Sequence, residues 1–239
     1  MPHPFSRRDF LAAAGAAGAA ILSPRLLLAK DPFPDMLDHI LLGARDLDAG
    51  IAYLQQRSGV RAAFGGIHPG RGTRNALVRL GDLHYLEVIA PDPQQAGAPD
   101  IFGLQPLTEP KLITWAVHVL NIREQVGRLA DAGMPFEGPA AGSRNRPDGR
   151  TLNWKSLRLK DDRRGILPFF IEWGAGSVHP SADAPAGCKL ARFEVAAPDL
   201  REYRDTFSNL GIDVHVVKGE QPQLRATIAG THGEFTLTS

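Results

Sequence analysis

Apolar residues along the chain fall into short blocks separated by Gly, Pro and charged clusters, and the period of each block predicts an element. The segment from Asp35 to Ala44 (DMLDHILLGA) reads as a strand; Asp46 then offers an N-cap, and Leu47, Ile51 and Leu54 recur at helical spacing up to Gly59. A short strand over 60–65 follows, then a Gly/Pro-rich loop from Gly65 to Thr73. Strands over 75–80 and 84–90 come next, divided by Gly81-Asp82 and closed by Pro91. The order is βαβββ.

That order repeats. Beyond a linker from Pro91 to about Pro110 come a strand over 113–120, a helix over 122–132, a strand near Phe136, and strands over 152–159 and 166–173. After a second linker, 174–187, a strand over 189–197, a helix over 199–210 and strands over 213–217, 224–228 and 234–238 give the order a third time. Repetition on this scale predicts an α+β architecture of stacked βαβββ modules, divided at 30–110, 111–175 and 176–239, the last a partial module. Registering the units on the pair that opens each helix (Asp46-Leu47, Asn121-Ile122, Asp199-Leu200) and counting back seven residues gives His39, Thr114 and Arg192. The closing strands HYLEVIA, FFIEWGA and GEFTLTS align Glu87 with Glu172 and Thr236.

Charge and cysteine content narrow the function. Of 239 residues, 27 are Lys or Arg and 26 Asp or Glu, with no basic cluster beyond the N-terminus, so nucleic acid is not an expected partner. A single cysteine, Cys188, excludes an intrachain disulfide and any CxxC site, which leaves His and carboxylates to hold a metal.

Glu87 and Glu172 both sit mid-strand among bulky apolar neighbours. Withdrawing a lone carboxylate from water costs on the order of several kcal/mol, so each needs a cation, a basic side chain or a solvated cleft beside it. Alternation places Glu87 on the face of Tyr85 and Glu172 on the face of Phe170, while Thr114, Ala116 and His118 share a face. The glycines around His68 allow close backbone approach, which makes that loop a candidate cover for a site. Arg144, Arg146 and Arg150 crowd a segment with an Asp148-Gly149 turn, and guanidinium forks suit carboxylate or phosphate groups.

Ser6-Arg7-Arg8-Asp9-Phe10-Leu11, followed by an Ala/Gly-rich apolar run to Leu22, resembles a bacterial twin-arginine signal peptide spanning about residues 1–29. The run falls short of the roughly 20 residues that cross a bilayer, so no stable membrane anchor is expected. The resemblance implies periplasmic or secreted location, with the twin-arginine export machinery as a partner.

Leu37-Asp38-His39 with Asp46-Leu47, the segment Gly66 to Asn75, Leu80-Gly81-Asp82 with Tyr85-Leu86-Glu87, Arg146-Pro147-Asp148-Gly149, and Leu167 to Trp173 together resemble glyoxalase-like proteins of the vicinal oxygen chelate superfamily. The resemblance covers about residues 36–175. It implies paired βαβββ modules forming an open, cup-shaped mixed sheet of the glyoxalase/bleomycin-resistance/dioxygenase type, and a divalent metal (Zn, Mn, Ni or Fe) in the cup. By position the metal ligands would be His39, Glu87 and Glu172. Thr114 stands where a better donor is usual, and His118 is the candidate replacement. Glu172 would double as general base, with His68, Tyr85, Arg144, Arg146 and Trp173 contacting a small oxygenated, anionic substrate. This is the expectation of a metal-dependent lyase or isomerase. The alternative is a metal-free cup that sequesters a small hydrophobic or aromatic ligand among Trp115, Trp154, Trp173 and Phe residues. An extradiol-type oxygenase is a further alternative, and would need two His and one carboxylate. The sequence leaves the oligomeric state open, a homodimer included.

Overall fold

Each helix begins where the sequence supplies a cap. In the computed structural model, which describes residues 33–146 and 148–239, α1 (Leu47–Ser58) opens with the Asp46 side chain accepting from the Ala49 N–H at 2.9 Å and closes on Gly59 at φ 74°. Asn121 and Asp199 cap α2 (Ile122–Asp131) and α3 (Leu200–Leu210) in the same way. The signal segment expected over 1–29 lies outside the described residues.

Eight strands form one mixed sheet: β1 (Leu37–Gly43), β2 (Ala63–His68), β3 (Thr73–Gly81), β4 (His84–Pro91), β5 (Lys111–His118), β6 (Phe136–Asn145), β7 (Thr151–Leu159) and β8 (Phe169–Trp173). Their order is β2-β3-β4-β1-β5-β8-β7-β6, so the two half-sheets meet where β1 runs antiparallel to β5. In each half the first strand pairs in parallel with the last, β1 with β4 and β5 with β8. The segment read as a loop from Gly65 to Thr73 is largely strand, with only the turn between β2 and β3 irregular.

The sheet curls into an open half-barrel with two unlike faces. Its outer face carries Ile40, Leu42, Leu86, Val88, Trp115 and Phe170 into a core shared with the helices. Its inner face carries a smaller cluster around Leu41, Ile89, Ala116, Phe169 and Ile171. The curl brings edge strand β2 against edge strand β6. A Cβ on Gly66 would stand 2.7 Å from the Asn145 carbonyl oxygen and 3.0 Å from the Arg144 side chain. Two successive glycines, Gly65 and Gly66, let the edges approach.

The third unit keeps the βαβββ order and changes its pairing. Strands β9 (Lys189–Ala197), β10 (His215–Lys218), β11 (Gln223–Gly230) and β12 (Gly233–Thr238) form a separate sheet in the order β10-β9-β11-β12, so β12 is an edge and does not return beside β9. A strand in that central slot needs both faces covered, and β12 buries only Leu237, with Glu234 and Thr238 exposed. This sheet instead backs the outer core, where Phe193 and Phe207 lie 4.9 and 6.2 Å from Trp115, ring centre to ring centre.

The close approach of β2 to β6 makes Gly66, at φ 141°, intolerant of a side chain. Gly66→Ala is expected to destabilise the protein by about 1–3 kcal/mol, read as a fall of several degrees in Tm. An unchanged Tm would show that the edges part without cost.

Candidate functional site

The inner face encloses a cavity of about 60 Å³, lined by residues of seven strands together with Arg71 of the turn between β2 and β3 and Phe102 of the linker after β4. From β1 and β4 come His39, Leu41, Tyr85 and Glu87; from β2 and β3, His68 and Asn75; from β7 and β8, Trp154, Arg158, Phe169 and Trp173. Arg144 reaches in from β6.

At the centre a chain of polar groups crosses the cup. The Nδ1 of His39 donates to Asp38 Oδ1 at 2.6 Å, and its Nε2 stands 3.5 Å from Glu87 Oε2. Glu87 Oε1 accepts from Asn75 Nδ2 at 2.7 Å, and Asn75 Oδ1 accepts from Arg144 Nη1 at 2.8 Å. The imidazole of His39 stacks on Tyr85 with centroids 4.5 Å apart and planes 15° apart, and Phe169 meets it edge-on at 5.6 Å. His39 therefore has little rotational freedom.

Asp38 is fully buried, and it reaches His39 because the register between β1 and β5 slips across it: Leu37 pairs with Val117 and His39 with Ala116. Such a bulge turns neighbouring side chains toward one side. Asp38 Oδ2 accepts from Trp173 Nε1 at 2.8 Å, and His118 Nδ1 and His179 Nε2 lie 3.3 Å from it. Burial pushes the Asp38 carboxyl up, but hydrogen bonds from His118, His179 and His39 outweigh it and hold the group well below its ordinary value. The same interaction raises His118.

The remaining charges in the cup are mostly positive. Burial lowers Arg144 and Arg158 from their ordinary values, with nearby Glu87 acting in the opposite sense on both, yet a guanidinium stays charged. The Arg158 guanidinium lies over Phe102 at 4.7 Å and Phe169 at 4.9 Å, and no carboxylate pairs with it among the described residues. Burial drives Tyr85 well above its ordinary value, with Asp38 and Glu87 adding to the effect. His68 donates or accepts at Thr73 Oγ1 through Nδ1 at 2.8 Å, and burial lowers it to about 4, against a raising effect from Glu87.

Of the residues expected to line a site, His39, Glu87, His68, Tyr85, Arg144 and Trp173 are brought together here. Glu172 is not. The parallel registers pair His39 with Tyr85 and Ala116 with Phe169, so the counterpart of Glu87 in the second half is Ile171, one residue before the glutamate. Phe170 and Glu172 face outward, and Glu172 accepts from the Ile122 N–H at 2.7 Å and from Lys155 Nζ at 2.8 Å. Lys155, then the Ile122 amide at the start of α2, lowers its pKa, so its charge is committed to capping that helix. His118 is drawn to Asp38 and faces a separate cleft beside Met36, Leu83 and His84. Thr114, opposite Leu41, is buried but does not line the cavity, and Arg146 pairs with Asp183 and Asp148 away from it. Trp115 turns outward, donating Nε1 to the Ile166 carbonyl at 2.9 Å, so of the three tryptophans only Trp154 and Trp173 line the cup.

Three of the site's polar groups escape the sequence reading. Asp38 needs a bulge to share a side with His39, and no periodic pattern announces one. Asn75 lies in an ordinary strand. Arg158 had a signal: Trp154, Ser156 and Arg158 alternate along β7, which puts a cation on the same face as a tryptophan.

The residues do not fit the divalent metal that the fold implies. His39 Nε2 and Glu87 Oε2 converge, but the second half offers Ala116 opposite His39 and Ile171 in the place of Glu87. Among the described residues, no three His, Cys, Asp or Glu side chains are placed to hold a metal ion.

Residues 37–211 match the model of the glyoxalase-like domain, and residues 4–24 match the signal sequence of the twin-arginine translocation pathway. The protein is therefore periplasmic or secreted; no helix among the described residues is long and apolar enough to cross a membrane. No curated protein matches the sequence. Among solved structures, a hypothetical protein from Staphylococcus aureus superposes with a TM-score of 0.58 at 16% identity, covering 84% of each chain. Methylmalonyl-CoA epimerase from Streptomyces coelicolor, in complex with 2-nitronate-propionyl-CoA, gives 0.43 at 17% identity over 59% of this chain and 98% of its own. The epimerase from Mycobacterium tuberculosis gives 0.40 at 19% over 62% and 93%.

The depressed His68 has a thermodynamic consequence. An unfolded histidine takes up its proton near pH 6.5, whereas the folded His68 does so only near 4. Between those values the unfolded state binds more protons, so this group's contribution to stability is present above pH 6.5 and is lost as pH falls toward 4. His68→Gln should flatten the stability profile across that window by about 3 kcal/mol, measured by urea denaturation at successive pH values. Parallel profiles for both proteins would place the ring in solvent-like surroundings.

Proposed function

The chain belongs to the glyoxalase-like domain family of the vicinal oxygen chelate superfamily, and from that premise we propose that its cup binds a small carboxylate and does so without a metal. The observation that carries this reading is Arg158. Its guanidinium is partly buried against two phenylalanine rings, and among the described residues no carboxylate pairs with it directly, Asp162, Glu87 and Glu137 acting on it only from farther away. A planar donor fork in that setting matches a carboxylate better than any neutral group, because charge-assisted bonds strengthen as water is excluded. Arg71, at the same cavity, adds positive potential, while Trp154, Trp173 and Phe102 supply apolar walls. The cavity's small volume selects for compact ligands.

A metal-dependent lyase is the less favoured reading. It would require Glu172 to leave the helix it caps, and a second donor where Ala116 stands.

Titration calorimetry with acetate, pyruvate and benzoate, in EDTA throughout, tests the proposal. At least one carboxylate should bind, and Arg158→Leu should weaken it about 10–100-fold, the worth of one charge-assisted pair of about 1.5–3 kcal/mol. Binding that appears only on adding zinc or manganese, or that survives the loss of Arg158 unchanged, would overturn it.

A further inference from the structure

An imidazole and a carboxyl group face one another across the cup, each held from behind. His39 is tied through Nδ1 to Asp38 and clamped by Tyr85 and Phe169, so the ring directs Nε2 inward. Glu87 is fixed through Oε1 by Asn75, which Arg144 holds in turn, leaving Oε2 turned toward that nitrogen at 3.5 Å. Neither inner atom has another hydrogen-bond partner among the described residues. His39, Glu87 and Arg158 line one cavity of about 60 Å³, so an anion held there by Arg158 shares that space with the pair.

We propose that this arrangement is a metal-independent proton-transfer centre acting on a compact 2-oxo carboxylate, with His39 as the base and Asp38 as its positioning residue. The inference rests on the reading that the cup binds a small carboxylate. In the step, a C–H bond next to the ligand's oxo group breaks and its proton passes to His39 Nε2. The electron pair moves into the carbon–carbon bond, and the carbonyl becomes an enolate whose oxygen gains charge near the arginines. The imidazolium is stabilised by Asp38 on one side and Glu87 on the other. Return of a proton from His39 restores the ligand, so no co-reactant is needed. His68 is a poor substitute as base, since burial keeps it neutral down to a pH of about 4.

The test is exchange of the pyruvate methyl protons in D2O, followed by proton NMR in EDTA, alongside calorimetric affinity for pyruvate. The wild-type protein should accelerate exchange over buffer. His39→Gln should lower the saturated rate about 100-fold or more while pyruvate still binds. Asp38→Asn should lower it about 10–100-fold with affinity unchanged, whereas a merely structural role would move affinity as well. Should Asp38→Asn fail to fold, His39→Gln decides alone. Pyruvate that binds in wild type yet exchanges at the buffer rate, or exchange that needs added metal, overturns the proton-transfer centre and leaves carboxylate binding standing. Failure of pyruvate to bind where benzoate does overturns the 2-oxo assignment. Failure of every carboxylate overturns the binding reading from which it starts.

Discussion

One buried carboxylate fixes the geometry of this cup. Asp38 draws four side chains from four separate parts of the chain onto its two oxygens: His39 beside it, His118 at the end of β5, Trp173 at the end of β8, and His179 in the linker beyond. Desolvating such an ion costs several kcal/mol, and a hydrogen bond to a charged group returns about 1.5–3, so fewer partners would leave Asp38 a liability. The necessity of satisfying it therefore orders the second half-sheet and the linker against the first. His179 meets that need through Nε2 because its Nδ1 already accepts from the Ser181 N–H.

The two half-sheets share a scaffold and divide the chemistry unequally. The first supplies His39 and Glu87; the second has methyl and butyl groups at the matching places, Ala116 and Ile171, and contributes cations and aromatic rings from β6, β7 and β8. A symmetric frame thus encloses an asymmetric site: the first half brings His39, Glu87 and Arg71 to the cavity, the second Arg144, Arg158 and aromatic rings, with Arg144 linked through Asn75 to Glu87.

Much of the fold was legible in the sequence because it is written in local signals. Asp46, Asn121 and Asp199 mark the three α-helices of the described residues, and the strand blocks recur in order. Pairing was less legible. The third unit repeats the order of elements yet makes a different sheet, because order does not state which strand can bear burial on both faces, and β12 cannot. The site was half legible for a related reason. His39 and Glu87 follow from alternation within one strand each, whereas matching Glu172 to Glu87 needed the register between β5 and β8, and a shift of one residue reverses a strand's faces. Large apolar neighbours flank that glutamate on both sides, so composition alone gives no sign of which set turns inward. Asp38 depends on a bulge, a feature of two strands together, and nothing in either strand alone encodes it.

Closure of the sheet links these features. Gly65 and Gly66 allow β2 to approach β6, which brings Arg144 within reach of Asn75, and Asn75 in turn fixes Glu87. The carboxylate facing His39 is thus oriented by contacts that exist only because the two sheet edges nearly meet. Glu87 is held from the rim of the cup and His39 from its base, by Asp38. Opening the edges would release the first while leaving the second in place. Preorganisation of the pair is accordingly a property of the curled sheet and not of either strand, and it explains why a polar chain of five residues persists in an interior of only about 60 Å³ of free space: each member is the partner that another requires.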